Sequence, residues 1–115
     1  MHMSKYRNIK TEIDGIWFDS KKEARRYQEL KILEQANEIS HLECQPAFPC
    51  IIEGKKICTY KADFRYFDKK KKGKQGQTGC QVVEDVKSPA SKTPVYRLKK
   101  KLVEALYIGV NIVEI

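Results

Sequence analysis

Alternating hydrophobic and polar residues near the start of the chain predict a small β-hairpin. Residues 9–13 and 16–18 flank an Asp-Gly pair that is typical of a two-residue type I′ turn. A Ser-Lys-Lys-Glu sequence at 20–23 then resembles a capping box, and the run after it predicts a helix to about Asn37. The expected buried side of that helix consists of Ala24, Tyr27, Leu30 and Leu33.

The middle of the chain predicts strands. Residues 39–52 are β-prone but contain Pro46 and Pro49, which favours an edge strand or a bulged one. After a turn at 53–56, alternation over 57–67 predicts the clearest strand, with Asp63 among its polar positions. One face of this strand is expected to carry Tyr60, Ala62, Phe64 and Tyr66.

The last third of the chain predicts a loop, a strand, a helix and a strand. Residues 68–79 are rich in lysine and glycine and predict a mobile polar loop, and 81–87 predict a central strand with both faces buried. A Thr-Pro pair at 93–94 predicts a helix start, and the helix is expected to end near Tyr107, before a short strand at 110–115. Its expected apolar face is Val95, Leu98, Leu102 and Leu106. This order predicts a mixed α/β domain with a central sheet between two main helices.

Length and charge narrow the possibilities further. The 115 residues suffice for one domain, and the formal net charge is +8. Eleven of the 23 basic residues lie in two segments without acidic residues, 69–74 and 87–101. Such concentrated positive charge favours an anionic partner, and nucleic acid is the leading candidate.

The chain lacks the apolar run that a membrane span needs, so we expect a soluble, cytoplasmic protein without a membrane partner. The four cysteines form no C-x-x-C pair, which favours buried free thiols over zinc ligands or disulfides. We also expect residues 1–3 to include a cloning remnant, with Met3 as the natural start.

Three carboxylates and a lysine form the main candidate for catalysis. Asp63 lies on one predicted strand, Asp85 and Lys87 share one face of the next strand, and Glu23 lies in the first helix. Adjacent strands would bring the two aspartates together, with the lysine beside them. Carboxylates that hold Mg²⁺, with a cation near the developing charge, are what phosphodiester hydrolysis requires.

These residues resemble the PD-(D/E)xK nuclease superfamily. Val83-Glu84-Asp85-Val86-Lys87 is similar to its D/E-x-K strand, and Tyr60-Lys61-Ala62-Asp63-Phe64 is similar to its upstream strand, with Ala62 in place of the proline. The segment 18–24 is similar to the first helix of the subgroup that contains Holliday-junction resolvases and transposon-end endonucleases, particularly small phage-encoded members. The resemblance spans residues 5–115 and implies a restriction-endonuclease-like fold. It also implies Asp63, Asp85 and Glu23 as metal ligands, Lys87 as a catalytic residue, and Mg²⁺ as cofactor with Mn²⁺ as a substitute.

Simpler explanations exist for each residue. An isolated D-x-K sequence usually reflects strand residues in surface ion pairs. A capping box explains Glu23 as well as metal ligation does, and a register slip by one residue would turn Glu84 toward the site in place of Asp85.

Basic residues in the two acid-free segments are candidates for DNA contacts. On the second helix, Tyr96 and Lys100 lie one turn apart, with Arg97 and Lys101 on the neighbouring face and Lys92 just before the helix. Lys69, Lys70, Lys71 and Lys72 would act as a phosphate clamp or simply keep their loop soluble, with Lys74 beside them.

The sequence therefore predicts a Mg²⁺-dependent endodeoxyribonuclease. Because so short a chain has little room for a base-reading element, we expect it to recognise DNA shape, such as a branch or junction. A junction-resolving enzyme cuts two symmetric strands, which predicts a homodimer. The alternatives are a DNA-binding protein that keeps the fold without catalysis and a nuclease directed at RNA.

Overall fold

The computed structural model describes residues 9–73 and 75–115. Residues 1–3 and Lys74, named above, lie outside the described residues. Within them the elements, in chain order, are β1 (Thr11–Ile13), β2 (Ile16–Phe18), α1 (Lys21–Gln35), β3 (Ile39–Cys44), β4 (Ala47–Ile52), β5 (Lys55–Lys61), β6 (Phe64–Lys72), β7 (Thr78–Asp85), a 3₁₀ helix (Pro89–Ser91), α2 (Pro94–Leu106) and β8 (Ile112–Glu114).

A four-stranded sheet lies at the centre of the molecule, in the order β3-β6-β7-β8. Its first three strands are antiparallel, and β8 joins β7 in parallel after the α2 crossover. The hairpins β1-β2 and β4-β5 form two separate small sheets. This arrangement confirms the predicted mixed α/β fold with a central sheet and two main helices.

Two hydrophobic cores cover the two faces of the sheet. The core that includes α1 and β2 contains Phe18, Leu30, Phe64 and Val82, and the core that includes α2 and the β4-β5 hairpin contains Phe48, Tyr60, Val83 and Val103. Consecutive residues of β7 therefore enter different cores. As the sequence predicts, Val83 and Asp85 share one face of β7, and Val82 and Glu84 share the other.

Local sequence signals determine the turns and helix starts. Asp14 and Gly15 adopt φ values of 55° and 77°, as a type I′ turn requires, and Glu53 and Gly54 repeat this at 50° and 80°. The Ser20 hydroxyl accepts a hydrogen bond from the Glu23 N–H, and the Thr93 hydroxyl accepts one from the Tyr96 N–H, both at 3.1 Å. Both predicted N-caps are thus confirmed.

The predicted strand at 57–67 is two strands in different sheets. β5 ends at Lys61 and pairs with β4, whereas β6 begins at Phe64 and pairs with β3 and β7. Asp63 therefore lies at a junction and not in the middle of a strand. The β-prone run 39–52 divides similarly at Gln45 and Pro46 into β3 and β4.

Two further predictions were wrong in detail. The predicted loop at 68–79 is largely strand, because Asp68 pairs with Cys80 and Lys72 with Thr78 on either side of an irregularity. On α2 the buried residues are Tyr96 and Val103. Three residues of the predicted apolar face, Val95, Leu98 and Leu106, are instead exposed.

The four cysteines carry free thiols, as predicted, but the expectation that these thiols are buried holds only for Cys50, since Cys44, Cys58 and Cys80 are half-buried. Among the described residues, no helix has the length and hydrophobicity to cross a membrane.

Candidate active site

Asp85 is the centre of the candidate site. It is the last residue of β7, and only 2% of its surface is exposed. The Tyr60 hydroxyl donates a hydrogen bond to its Oδ2, and the Lys87 Nζ lies 3.6 Å from its Oδ1. Each oxygen of this buried carboxylate therefore faces a polar partner, as the low polarity of a protein interior demands.

Asp63 lies beside Asp85 because its backbone is bound to β7. Its N–H donates to the Glu84 carbonyl at 3.1 Å, and its Oδ2 accepts the Val86 N–H at 2.7 Å. Burial raises the pKa of Asp63 to about 8, and a hydrogen bond to Asp85 and the charge of Asp85 add to the effect. The strand junction thus brings the two aspartates of the predicted pair into contact.

Glu23 lies in the first turn of α1, close enough for its charge to interact with this pair. Burial raises the pKa of Glu23, and the charges of Asp19 and Asp85 raise it further, while a hydrogen bond from the Asp19 backbone N–H and the charge of Lys87 oppose the shift. Its backbone N–H donates a hydrogen bond to the Ser20 hydroxyl, which caps the helix. Its carboxylate accepts a hydrogen bond from the backbone N–H of Asp19, one residue before the Ser20 cap, so it is already engaged at the start of the helix.

The Asp63–Asp85 pair suits a hard divalent cation. Mg²⁺ and Mn²⁺ prefer carboxylate oxygens, and a cation would relieve the mutual repulsion that helps raise the pKa of Asp63. In the part of the chain that the structure describes, no three His, Cys, Asp or Glu side chains lie close enough together to hold a metal ion. The preformed part of the site is therefore a pair of carboxylates, with Glu23 near it but outside it.

Two tyrosines complete the surroundings of Lys87. Its Nζ lies 4.4 Å from the centroid of the Tyr96 ring, in a cation–π arrangement, and the Tyr60 and Tyr96 rings are 6.2 Å apart. Alternation along the strand places Tyr60 on the face of Ala62 and Phe64, but it does not reveal what a buried hydroxyl meets. No signal in the sequence links it to Asp85.

The prediction that Tyr96 grips DNA is wrong. Its side chain is buried, with 7% of its surface exposed, and its hydroxyl donates to Glu114 Oε2 at 2.7 Å. The same carboxylate forms ion pairs with Lys92 at 3.2 Å and with Lys100 at 3.6 Å. Glu114, for which the sequence gives no signal, therefore pairs with one lysine just before α2 and with one on α2.

The other candidate DNA-contacting residues differ in whether they are exposed or already paired within the protein. Arg97 and Lys101 are exposed on α2. Lys69 donates to Asn37 Oδ1, and Lys70 pairs with Glu38 at 2.8 Å, so both are tied to the segment after α1. The remaining two members of the proposed clamp, Lys71 and Lys72, are exposed at the end of β6.

Glu84 points away from the site. It is 1% exposed and accepts two hydrogen bonds from Arg26, at 2.8 Å and 2.6 Å, and a third from the Tyr66 hydroxyl. The register of β7 therefore turns Asp85, and not Glu84, toward Lys87.

Comparison with known proteins gives one match. No curated protein and no solved structure shows significant similarity to the chain. A family model described as "Protein of unknown function (DUF1064)" matches residues 3–115, which is nearly the whole chain. The chain therefore belongs to the DUF1064 family.

Proposed function

We propose that this protein is a metal-dependent endodeoxyribonuclease. The observation that carries the proposal is the contact between the half-buried Asp63, just before β6, and the buried Asp85 at the end of β7. The Lys87 Nζ lies 3.6 Å from Asp85 Oδ1. Carboxyl groups in contact raise the pKa of one of the pair, and carboxyl groups with perturbed pKa values are enriched at functional sites.

The order of elements supports the same proposal. Leaving out the two hairpins and the short 3₁₀ helix, the chain runs α1, β3, β6, β7, α2, β8, with Asp63 just before β6 and Asp85 at the end of β7. A helix, strands bearing the aspartate and the D-x-K sequence, and a second helix are what the resemblance to PD-(D/E)xK nucleases implies. The basic residues on and before α2 lie next to that site in sequence.

Each residue has a role in this proposal. Asp63 and Asp85 would hold Mg²⁺, and Glu23 would complete or orient the site. When bound, the ion supplies Lewis acidity toward a phosphate oxygen and a water molecule. Lys87 positions the attacking water or stabilises the charge that develops on the phosphate, while the Tyr60 hydroxyl fixes the orientation of Asp85.

The proposed substrate is branched DNA in phage recombination or replication, inside a bacterial cell. Exposed Arg97 and Lys101, together with Lys92 and Lys100, would contact phosphates and so position the duplex without reading its sequence. If the substrate is a four-way junction, two sites are needed, and sedimentation analysis is expected to show a homodimer.

A non-catalytic DNA-binding protein is the main alternative, and the buried state of Asp85 is the observation that favours it. Both functions predict DNA binding that weakens as salt rises. A preference for RNA over DNA in a cleavage panel would instead favour the RNA-directed alternative.

A cleavage panel with four-way, flap and linear DNA tests the proposal. The wild-type chain is expected to cut at least one substrate with Mg²⁺ or Mn²⁺ and none in EDTA. Asp85→Ala and Lys87→Ala are expected to abolish cleavage while retaining DNA binding, and exposed Glu12→Ala on β1 is the matched control. If every substrate stays intact under all metal conditions while DNA binding is preserved, the nuclease proposal is rejected in favour of the non-catalytic DNA-binding protein.

A further inference from the structure

Two adjoining cavities lie at the end of the sheet remote from the carboxylates. Their volumes are about 600 Å³ and about 490 Å³, and Phe67 and Gln81 line both of them. These two residues are direct partners across β6 and β7. Gln81 lies four residues before Asp85 on β7, about 13 Å away at the rise of a β-strand.

The Phe67 ring is partly exposed and packs against Gly79. We call this ring the platform. It packs so closely on Gly79 that a Cβ added there would come within 2.7 Å of the ring Cζ. Nevertheless 40% of the Phe67 surface remains exposed. An aromatic ring with a fixed position and an open side is suited to stacking.

The polar residues around the platform suit a nucleotide. Gln81 and Asn111 are exposed and present amide groups, which can donate to and accept from the edge of a base. Lys71 and Lys72 line the larger cavity, so cations for phosphates lie on that side of the ring. Arg65 lines the smaller cavity, where it pairs with Glu43 at 2.6 Å.

We propose that Phe67 stacks on an unpaired nucleobase of the DNA substrate, with Gln81 and Asn111 at its edge. The inference rests on the proposed function only in taking DNA as the substrate. A fully paired duplex offers no free base face, so this contact would select DNA with a bulge, flap or branch. It supplies a physical basis for recognition of DNA structure in so small a protein.

Binding of two matched duplexes tests the proposal. Both carry one unpaired nucleotide at the same position, which is an adenine in the first and an abasic sugar in the second, so their phosphates are identical. In EDTA, the wild-type chain is expected to bind the adenine duplex about tenfold more tightly, the typical effect of one stacked base. Phe67→Ala is expected to abolish this preference and Phe67→Tyr to keep it. Trp17→Ala, which removes an aromatic residue 60% exposed on β2, is the matched control and should keep it.

Fluorescence provides a direct measurement of stacking. The chain has one tryptophan, so Trp17→Phe combined with Phe67→Trp places the only indole at the platform. Its emission is expected to be quenched by the adenine duplex and not by the abasic one.

The outcomes separate this proposal from the nuclease proposal. Equal binding of the two duplexes, no binding of either, or a change in oligomeric state as the main effect of Phe67→Ala would overturn the nucleobase site. Metal-dependent cleavage, measured in parallel, tests the nuclease proposal independently of the nucleobase site. A retained adenine preference without any cleavage would support the nucleobase site and reject the nuclease.

Discussion

Arg26 on α1 and Glu84 on β7 form a bidentate ion pair, with hydrogen bonds of 2.8 Å and 2.6 Å. Arg26 lies three residues after Glu23, just under one helical turn, and Glu84 immediately precedes Asp85. The pair therefore connects the two elements that carry candidate site residues, from the opposite face of the sheet. It fixes the first turns of α1 relative to the end of β7.

Replacing Arg26 with alanine is expected to lower the free energy of unfolding by about 3 kcal/mol, because it leaves the Glu84 carboxylate buried without its counterion. Urea denaturation followed by circular dichroism measures the change. Arg25, the exposed neighbour, provides the control, and Arg25→Ala is expected to stay within about 0.5 kcal/mol of wild type. Equal stabilities for the two variants would show that the ion pair contributes nothing to the fold.

Tyr60→Phe removes the hydroxyl that donates to Asp85 and leaves the ring in its core. We expect metal affinity and cleavage to fall about 10- to 100-fold, as is typical when a group that orients a metal ligand is lost. Titration of cleavage with Mg²⁺ separates the two effects. Tyr107→Phe is the matched control, since that hydroxyl donates to the Pro49 carbonyl. A Tyr60→Phe variant with wild-type Mg²⁺ dependence would argue against an orienting role.

The raised pKa of Asp63 predicts how stability depends on pH. Between the ordinary value of 3.8 and about 8, folded Asp63 keeps a proton that the unfolded chain releases. The free energy of unfolding should therefore fall as pH rises through this window in the absence of metal. Mg²⁺ should restore more stability at pH 8 than at pH 5, because a metal ligand must be ionised.

Urea unfolding at several pH values, with and without Mg²⁺, tests this dependence. Asp63→Asn is expected to flatten the pH profile and to weaken the Mg²⁺ effect, whereas Glu12→Gln, at an exposed position, should change neither. Parallel profiles for wild type and Asp63→Asn would mean that Asp63 does not keep its proton in the folded protein.

The sequence predicts β7 well and the β5–β6 region poorly, for one physical reason. Alternation reports which side chains share a face, so Val83 and Asp85 are placed correctly on a continuous strand. It carries no information on which strand is the partner, so alternation that continues past Asp63 conceals a change of sheet. The contact between Asp63 and Asp85 depends on that change.

Exposed and long-range features were also beyond pattern reasoning. The lysines of β6 extend past the core, and an exposed strand has the same composition as a loop. On α2, the burial of Tyr96 is accompanied by a hydrogen bond to Glu114, 18 residues away, and helical spacing alone cannot predict this partner. Of the predicted apolar stripe, Leu102 packs against the core, whereas Val95, Leu98 and Leu106 are exposed.

Gly79→Ala is expected to destabilise the protein more than Gly109→Ala, although both glycines have a positive φ, of 89° and 86°. The strain of an alanine in this conformation, roughly 1–2 kcal/mol, is common to both variants. Only at Gly79 does the new Cβ meet a ring, that of Phe67 at 2.7 Å, whereas nothing lies within 4 Å at Gly109. Urea denaturation should show an additional loss of about 1–3 kcal/mol for Gly79→Ala. Combining it with Phe67→Ala should recover that additional loss, and purely additive effects in this double-mutant cycle would mean that the ring does not rest on Gly79 in solution.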